Sequence, residues 1–148
     1  MLKLFKSIFN KRPIQFVAPS GYMPQAQTKL SAGYDVKAKK NYKLIKGEKA
    51  LIGTNVAIKK CSKDYYLELH PRSSLRAKLG CEGIGVIDSD YRKEIMMIVI
   101  PDKDYIINRG ERIAQLIPKR VLRVTNCEVK QEARTGGIGS TDTKKEVK

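Results

Sequence analysis

The 148-residue chain is poor in the residues that build redox, zinc and membrane sites. It has three cysteines (Cys61, Cys81 and Cys127), one histidine and an aromatic content of 7 %. An odd number of widely spaced cysteines with no CxxC pair excludes a disulfide framework and a thiolate zinc site, and points to a reducing compartment, cytoplasmic or nuclear. His70 has no partner at metal-ligand or catalytic spacing and reads as a structural residue at a strand end. No stretch approaches the ~18 apolar residues of a membrane span. The apolar residues of Leu2–Phe9 are interrupted by lysines and lack a small-residue cleavage site, unlike a secretory signal. Aromatic residues are not interleaved with basic ones, so the stacking platform of a nucleic-acid module is missing, and no stable nucleic-acid partner is expected. Helical periodicity is scarce, and no internal repeat of useful length appears.

What the chain has in excess is positive charge. Thirty Lys and Arg face 15 acidic residues, a formal charge of +15. Residues 1–12 hold four cations and no acid, and residues 143–148 hold three cations and one acid, so the body is basic as well. Such an excess makes an anionic partner plausible and says nothing about fold. The length and an apolar fraction of 41 % fit one globular domain. Three regions are expected: a basic leader over 1–12, a domain over 13–130 and a Gly-rich tail over 131–148. In the leader, Leu2, Phe5, Ile8 and Phe9 fall near helical spacing with lysines between them. The simpler reading is a frayed segment; membrane contact through it is the minor one.

Short period-two or β-branched runs predict strands at Gln15–Ala18, Asp35–Ala38, Tyr42–Ile45, Ala50–Ile58, Tyr65–His70, Glu94–Ile100, Tyr105–Asn108, Arg112–Pro118 and Leu122–Val129. Turn residues separate them. One short helix is expected at Ser73–Leu79. Many short strands at regular spacing mean an all-β barrel, sandwich or jelly roll.

Five polar, turn-like segments punctuate this pattern: Ser31–Asp35, Pro71–Leu75, Gly85–Arg92, Gly110–Leu116 and Arg134–Thr141. Each alone has an ordinary explanation. Pro71-Arg72-Ser73-Ser74 reads as a helix-capping turn through a Ser hydroxyl, yet the same atoms suit a phosphate. Asp88-Ser89-Asp90 reads as a hairpin turn, yet its carboxylates suit a general base or a hydrated Mg²⁺. Gly136-Gly137-Ile138-Gly139 lacks the strand–loop–helix context of a P-loop.

Taken in order, the five segments are specific. AGYD, PRSSL, GVIDSDYRKEI, GERIAQLI and GGIGSTD resemble the five motifs of the trimeric deoxyuridine triphosphatases, over about residues 14–142. The resemblance implies a dUTPase-like jelly roll, or distorted β-barrel, that hydrolyses dUTP to dUMP and diphosphate. That reaction keeps uracil out of DNA and supplies dUMP for thymidylate synthesis. It also implies a homotrimer with active sites at subunit interfaces. Mg²⁺ would be held by the triphosphate and waters, with Asp35 as a candidate contact through water. By the same resemblance Asp88 activates the attacking water, Gln115 lies beside the phosphates, and Arg134 stabilises phosphate charge. Arg72, Ser73 and Ser74 take the phosphates. The hairpin near Glu82–Val86 reads uracil through its backbone, Gly85, Val86 and Ile87 are substrate-binding, and Tyr91 packs under the deoxyribose and excludes a 2′-hydroxyl. Ile138, Gly139, Ser140 and Thr141 belong to the closing lid. Asp35, Asp90 and Arg112 support, with Asp35 and Arg112 as an ion pair.

Four departures stand out. Ile138 replaces the usual lid aromatic, removing a base-stacking ring. Arg134 stands one residue nearer the glycines than is usual. Lys93 replaces the glycine of YRG, and Asp142 replaces the last lid glycine. Two alternatives remain: a catalytically weak binding or regulatory protein of the same fold, and a dCTP deaminase, for which Glu82 and Glu94 are the local candidates but do not match the expected pattern.

Overall fold

The computed structural model describes residues 12–81, 83–129 and 134–138. The strands in chain order are β1 (Ile14–Val17), β2 (Tyr34–Lys37), β3 (Tyr42–Leu44), β4 (Ala50–Gly53), β5 (Ala57–Cys61) and β6 (Tyr65–Pro71). Helix α1 (Ser73–Leu79) follows, then β7 (Gly85–Ile87), β8 (Met96–Val99), β9 (Tyr105–Ile107) and β10 (Arg112–Arg120). A four-stranded antiparallel sheet runs β2-β10-β6-β7, and the remaining strands pair as β1-β5, β3-β9 and β4-β8. Strands distant in sequence thus wrap the chain around one core, as a jelly roll requires.

Alternation decides what faces that core. On β6, Leu67, Leu69 and Pro71 point inward, while Tyr66, Glu68 and His70 are only half-buried. Across the ladder, Leu116 opposes Leu69 on β6 and Tyr34 on β2; Gln115 opposes His70 and Asp35. The inward set joins Val36, Leu44, Ile52, Val56, Ile107 and Ile113, all essentially inaccessible. His70 Nε2 lies 2.9 Å from Glu68 Oε2, in keeping with a structural role at the strand end.

Helix α1 spans the residues that the sequence predicts. Leu75 and Leu79, one turn apart, are its buried pair. Gly80 closes it in the left-handed region, φ 57°, and its N–H donates to the Arg76 carbonyl. A side chain at Gly80 would also meet Asp102, with Oδ2 at 2.6 Å. The N-cap is Arg72 in extended conformation, with no side-chain capping bond. The expected Ser cap is therefore not made; Ser73 and Ser74 lie within the first turn, exposed.

Three expectations need correction. The run Ala50–Ile58 is two strands, because the chain bends at buried Thr54 and at Asn55, φ 60°. The Thr54 hydroxyl donates to the Ile95 carbonyl at 2.7 Å and accepts the Val56 N–H, securing the bend. Leu122–Val129 forms no strand: its period-two apolar residues find no partner among the described residues, leaving Leu122 91 % exposed. Gly85–Ile87, read as part of a polar turn, is a strand paired to β6. The basic leader expected over residues 1–12 lies, except for Arg12, outside the described residues.

Candidate active site

The five segments gather into two groups. The first is built by β2, β10 and the β6–α1 junction. Asp35 is a buried carboxylate with two cationic neighbours: Arg72 Nε lies 3.6 Å from Oδ1, and Arg112 Nη1 lies 3.3 Å from Oδ2. The expected Asp35–Arg112 pair is present; the Arg72 contact is additional. Burial of such a carboxylate needs compensation of this kind. Its backbone is held too, exchanging both hydrogen bonds with Gln25 at 2.9 and 3.1 Å.

Gln115 sits beside Asp35 in the ladder. The backbone of Gly33 passes so close to it that any side chain at 33 would collide with the Gln115 amide. The glycine of the first segment thus sets the position of the fourth segment's glutamine. The Arg72 N–H donates to the Ile113 carbonyl at 3.0 Å, fastening the helix start to β10. No acidic residue lies in the first turn of α1. Two guanidinium groups thus meet a carboxylate that neutralises only part of their charge, with Gln115 opposite it in the ladder and the exposed Ser73 and Ser74 following Arg72 in the chain, a setting suited to an anion.

The second group is built by β7 and the loop after it. A cavity of about 440 Å³ is lined by Leu69, Gly85, Val86, Tyr91, Arg134 and Ile138 among others. β7 is an edge strand, so one side pairs with β6 while the other leaves backbone donors and acceptors unpaired. Tyr91 is buried, its hydroxyl donating to the Glu94 carbonyl at 3.1 Å. Burial pushes the Tyr91 phenol up; Arg134 draws it down and Glu94 adds to the rise. A turn fixes the loop, Tyr91 N–H donating to the Asp88 carbonyl, and Arg92 donates to the Ser89 and Tyr91 carbonyls at 2.7 and 3.0 Å.

Asp88 and Asp90 are exposed and face Arg134, whose Nη1 lies 2.6 Å from Asp88 Oδ2 and 3.8 Å from Asp90 Oδ1. The same guanidinium lies over the Tyr91 ring, 5.1 Å from its centroid, and its Nε is buried without a partner. Arg134 thus meets the second group, and no hydrogen bond or ion pair joins the two groups among the described residues. Lys93, the departure from glycine, lies against the tail: a side chain on Gly137 would meet its Cγ at 3.6 Å. Gly139, Ser140, Thr141 and Glu82 lie outside the described residues.

The support beneath the loop was not legible in the sequence. Glu94 accepts from Lys39 Nζ at 2.7 Å and from the Asn55 N–H at 2.9 Å. The only signal was Asn55 itself, an asparagine where a long apolar run needs a left-handed turn.

No group of three or more potential metal ligands occurs among the described residues. The exposed oxygens are those of Asp88 and Asp90; both Asp35 oxygens face arginines. This donor set fits an ion carried by phosphate and water and not one held by a protein cage.

An all-β domain with an anion-binding group on one side and an edge-strand pocket beside a buried tyrosine defines a jelly-roll protein equipped for a phosphorylated nucleoside. The family model for dUTPase matches residues 20–142, and the chain belongs to the dUTPase family. It is 42 % identical to a deoxyuridine 5'-triphosphate nucleotidohydrolase of Hydrogenobaculum sp. over 106 residues, 66 % of this chain and 73 % of the relative. It is 37 % identical to the enzyme of that name from Anaplasma marginale, covering 84 % of this chain and 93 % of the relative. Among solved structures, a variant dUTPase from phage phi11 of S. aureus, which coordinates a structural Mg(II) ion, matches with TM-score 0.70 at 22 % identity, covering 85 % of this chain and all of that one.

Proposed function

We infer that the chain hydrolyses dUTP to dUMP and diphosphate. The observation that carries this reading is the junction of Tyr91, edge strand β7 and Arg134 around one cavity, with Asp88 paired to that arginine, in a chain of the dUTPase family. The unpaired backbone edge of β7 reads the donor–acceptor pattern of uracil, and cytosine is rejected because its groups meet the wrong partners. The Tyr91 ring packs beneath the sugar and leaves no room for a 2′-hydroxyl.

Asp88 accepts a proton from the attacking water. The water oxygen bonds to the α-phosphorus, the bond from phosphorus to the α–β bridging oxygen breaks, and diphosphate leaves. Arg72, Ser73, Ser74 and Gln115 hold the phosphates. Asp35 anchors Arg72 and Arg112. Asp90 keeps the Asp88 loop in register with Arg134. When bound, Mg²⁺ supplies charge neutralisation on the triphosphate. Arg134 trades its contact with Asp88 for the more highly charged phosphate, which frees the carboxylate to act as a base. Gly139, Ser140 and Thr141 close over the substrate with Ile138.

Among the described residues no hydrogen bond or ion pair joins the side chains of the two groups, so a complete site uses the first group of one subunit and the second group of another, as in a homotrimer. The free cysteines fit a reducing compartment, cytoplasm or nucleus.

The test is turnover of dUTP, dTTP, dCTP and UTP by the assembled protein with and without Mg²⁺. Selective dUTP hydrolysis, falling ~10²–10⁴-fold in Asp88→Asn, is expected. Tight dUTP binding with no turnover by the parent would instead favour the binding or regulatory reading, toward which the Arg134–Asp88 contact points. Ammonia release from dCTP would favour a deaminase.

A further inference from the structure

One end of the domain collects three separate stretches of chain. The Ser62 N–H donates to the Pro13 carbonyl at 2.8 Å, so the start of β1 lies against the β5–β6 turn. The Val121 N–H donates to the Asp64 carbonyl at 3.0 Å, and Arg123 Nη2 donates to the Lys63 carbonyl, so the segment leaving β10 lies against the same turn. A bulge opposite Gln15 and Phe16 leaves the successive residues Lys59 and Lys60 both exposed.

These stretches bring together Arg12, Lys59, Lys60, Lys63, Arg120 and Arg123, all exposed, with Asp64 as the one carboxylate among them. None of the six cations forms an ion pair among the described residues. The surplus of cations over acids is not uniform over the surface. At the rim where the Lys46–Lys49 turn packs on Asp102–Asp104, three lysines meet three acids, and Asp104 accepts the Lys46 N–H at 2.8 Å.

Apolar side chains interleave with the cations at this end. Leu122 and Val124 flank Arg123 and are 91 % and 75 % exposed. Its aromatic ring, Tyr65, is half-buried with Arg120 stacked 5.9 Å from the centroid, so it is no free platform for a base. The residues before Arg12 lie outside the described residues; by sequence they add Lys3, Lys6 and Lys11, with Leu2, Phe5, Ile8 and Phe9, to the chain that enters here.

We propose that this end is a docking surface for an anionic lipid bilayer. The cations meet the lipid headgroups, while Leu122 and Val124 enter the boundary between headgroups and acyl chains. The two groups of the active site use none of these residues, so the surface is independent of nucleotide hydrolysis.

The experiment is co-sedimentation of the full, assembled chain with vesicles of phosphatidylcholine alone or mixed with phosphatidylserine, at low and high salt. Binding to the anionic vesicles only, released by salt as the screening length shortens, is expected. Lys59→Gln and Lys60→Gln should each weaken it about fivefold, the equivalent of ~1 kcal/mol per surface cation. Leu122→Ser should lower the fraction that survives salt. dUTP turnover of these variants at the parental rate shows that they fold. Absence of binding to anionic vesicles, equal binding to neutral ones, or binding insensitive to Lys59 and Lys60 but abolished by deleting residues 1–11 would each overturn the proposal. Salt-sensitive binding to random-sequence DNA, lost in the same lysine variants while vesicles are ignored, would overturn it in favour of nucleic acid.

Discussion

Asp35 and Asp88 are carboxylates of the same type in opposite surroundings. The Asp35 side chain is 10 % exposed, set between Arg72 and Arg112; that of Asp88 is 60 % exposed and meets one guanidinium, delivered by the tail. A buried carboxylate flanked by two cations is held as a strut, since giving up its charge would strand both partners. An exposed one with a single displaceable partner is open to water once that partner leaves. The comparison separates the two halves of the site by how each is held: charge on charge in the half proposed for the phosphates, packing and an open backbone edge in the half proposed for the nucleoside.

The sharpest way to break this division is to cripple each half in a different chain. Asp88→Asn spoils the nucleoside half, and Arg72→Ala spoils the phosphate half. Each variant alone should lose ~10²-fold or more in dUTP turnover. Unfolded and reassembled together at equal amounts, they should recover about a quarter of parental activity, because in a random cyclic trimer one site in four draws both halves intact from neighbouring subunits. No recovery in mixed trimers would mean that both halves act within one chain.

A smaller effect should come from Gly33→Ala, which forces the methyl group into the Gln115 amide. Since a displacement of about 1 Å costs ~10²-fold at a reacting centre, kcat/KM for dUTP should fall between ten- and a hundredfold. Binding of dUMP, which engages the nucleoside half, should change less than threefold by calorimetry. Equal losses in both measurements would erase the boundary between the halves.

How much of this was legible in the sequence follows the same boundary. The Asp35–Arg112 pair and the place of Arg72 and Gln115 could be expected because the five-motif resemblance implied them; period two alone would set Arg112 and Gln115, three residues apart, on opposite faces, and the register shifts between Arg112 and Ala114. The Asp35–Arg72 contact could not be expected, because it depends on how the β6–α1 junction turns. On the nucleoside side, Gly85–Ile87 is too short and too polar in context to announce itself as a strand; pairing with β6 makes it one. Ala50–Ile58 failed for the converse reason: an unbroken apolar run hides the bend that Asn55 and Thr54 impose. The Leu122–Val129 pattern is strand-like but finds no partner among the described residues, and pattern alone cannot provide one.

Smaller again is the effect of the lid's missing aromatic. Ile138 lines the nucleoside cavity and remains 51 % exposed. Ile138→Phe should add a ring able to stack on uracil, worth ~1 kcal/mol at the low end of the range for base stacking, and lower KM about fivefold with kcat nearly unchanged. A drop in kcat without a change in KM would show that the residue governs lid motion and does not contact the base.

The smallest effect tests the support under Tyr91. Burial alone would push the Glu94 carboxyl up, but the Lys39 hydrogen bond, the Asn55 N–H and the Lys39 charge outweigh it and hold it below the usual range. Lys39 is raised, chiefly by its hydrogen bond to Glu94. A carboxyl that binds its proton more weakly in the folded state contributes stability that is fully present above the ordinary glutamate range and lost as pH falls through the depressed folded value. For Lys39 the contribution is present below the ordinary lysine range and lost as pH rises through the raised one. Glu94→Gln should therefore cost about 1 kcal/mol at neutral pH, the size of a partly exposed pair, or roughly 4 °C in Tm. The gap in Tm between parent and variant should narrow on acidification, once protons occupy Glu94 in the folded protein. A gap that stays constant from neutral to strongly acid pH would mean that Glu94 supports the loop by shape alone, and the packed half of the site would owe nothing to charge.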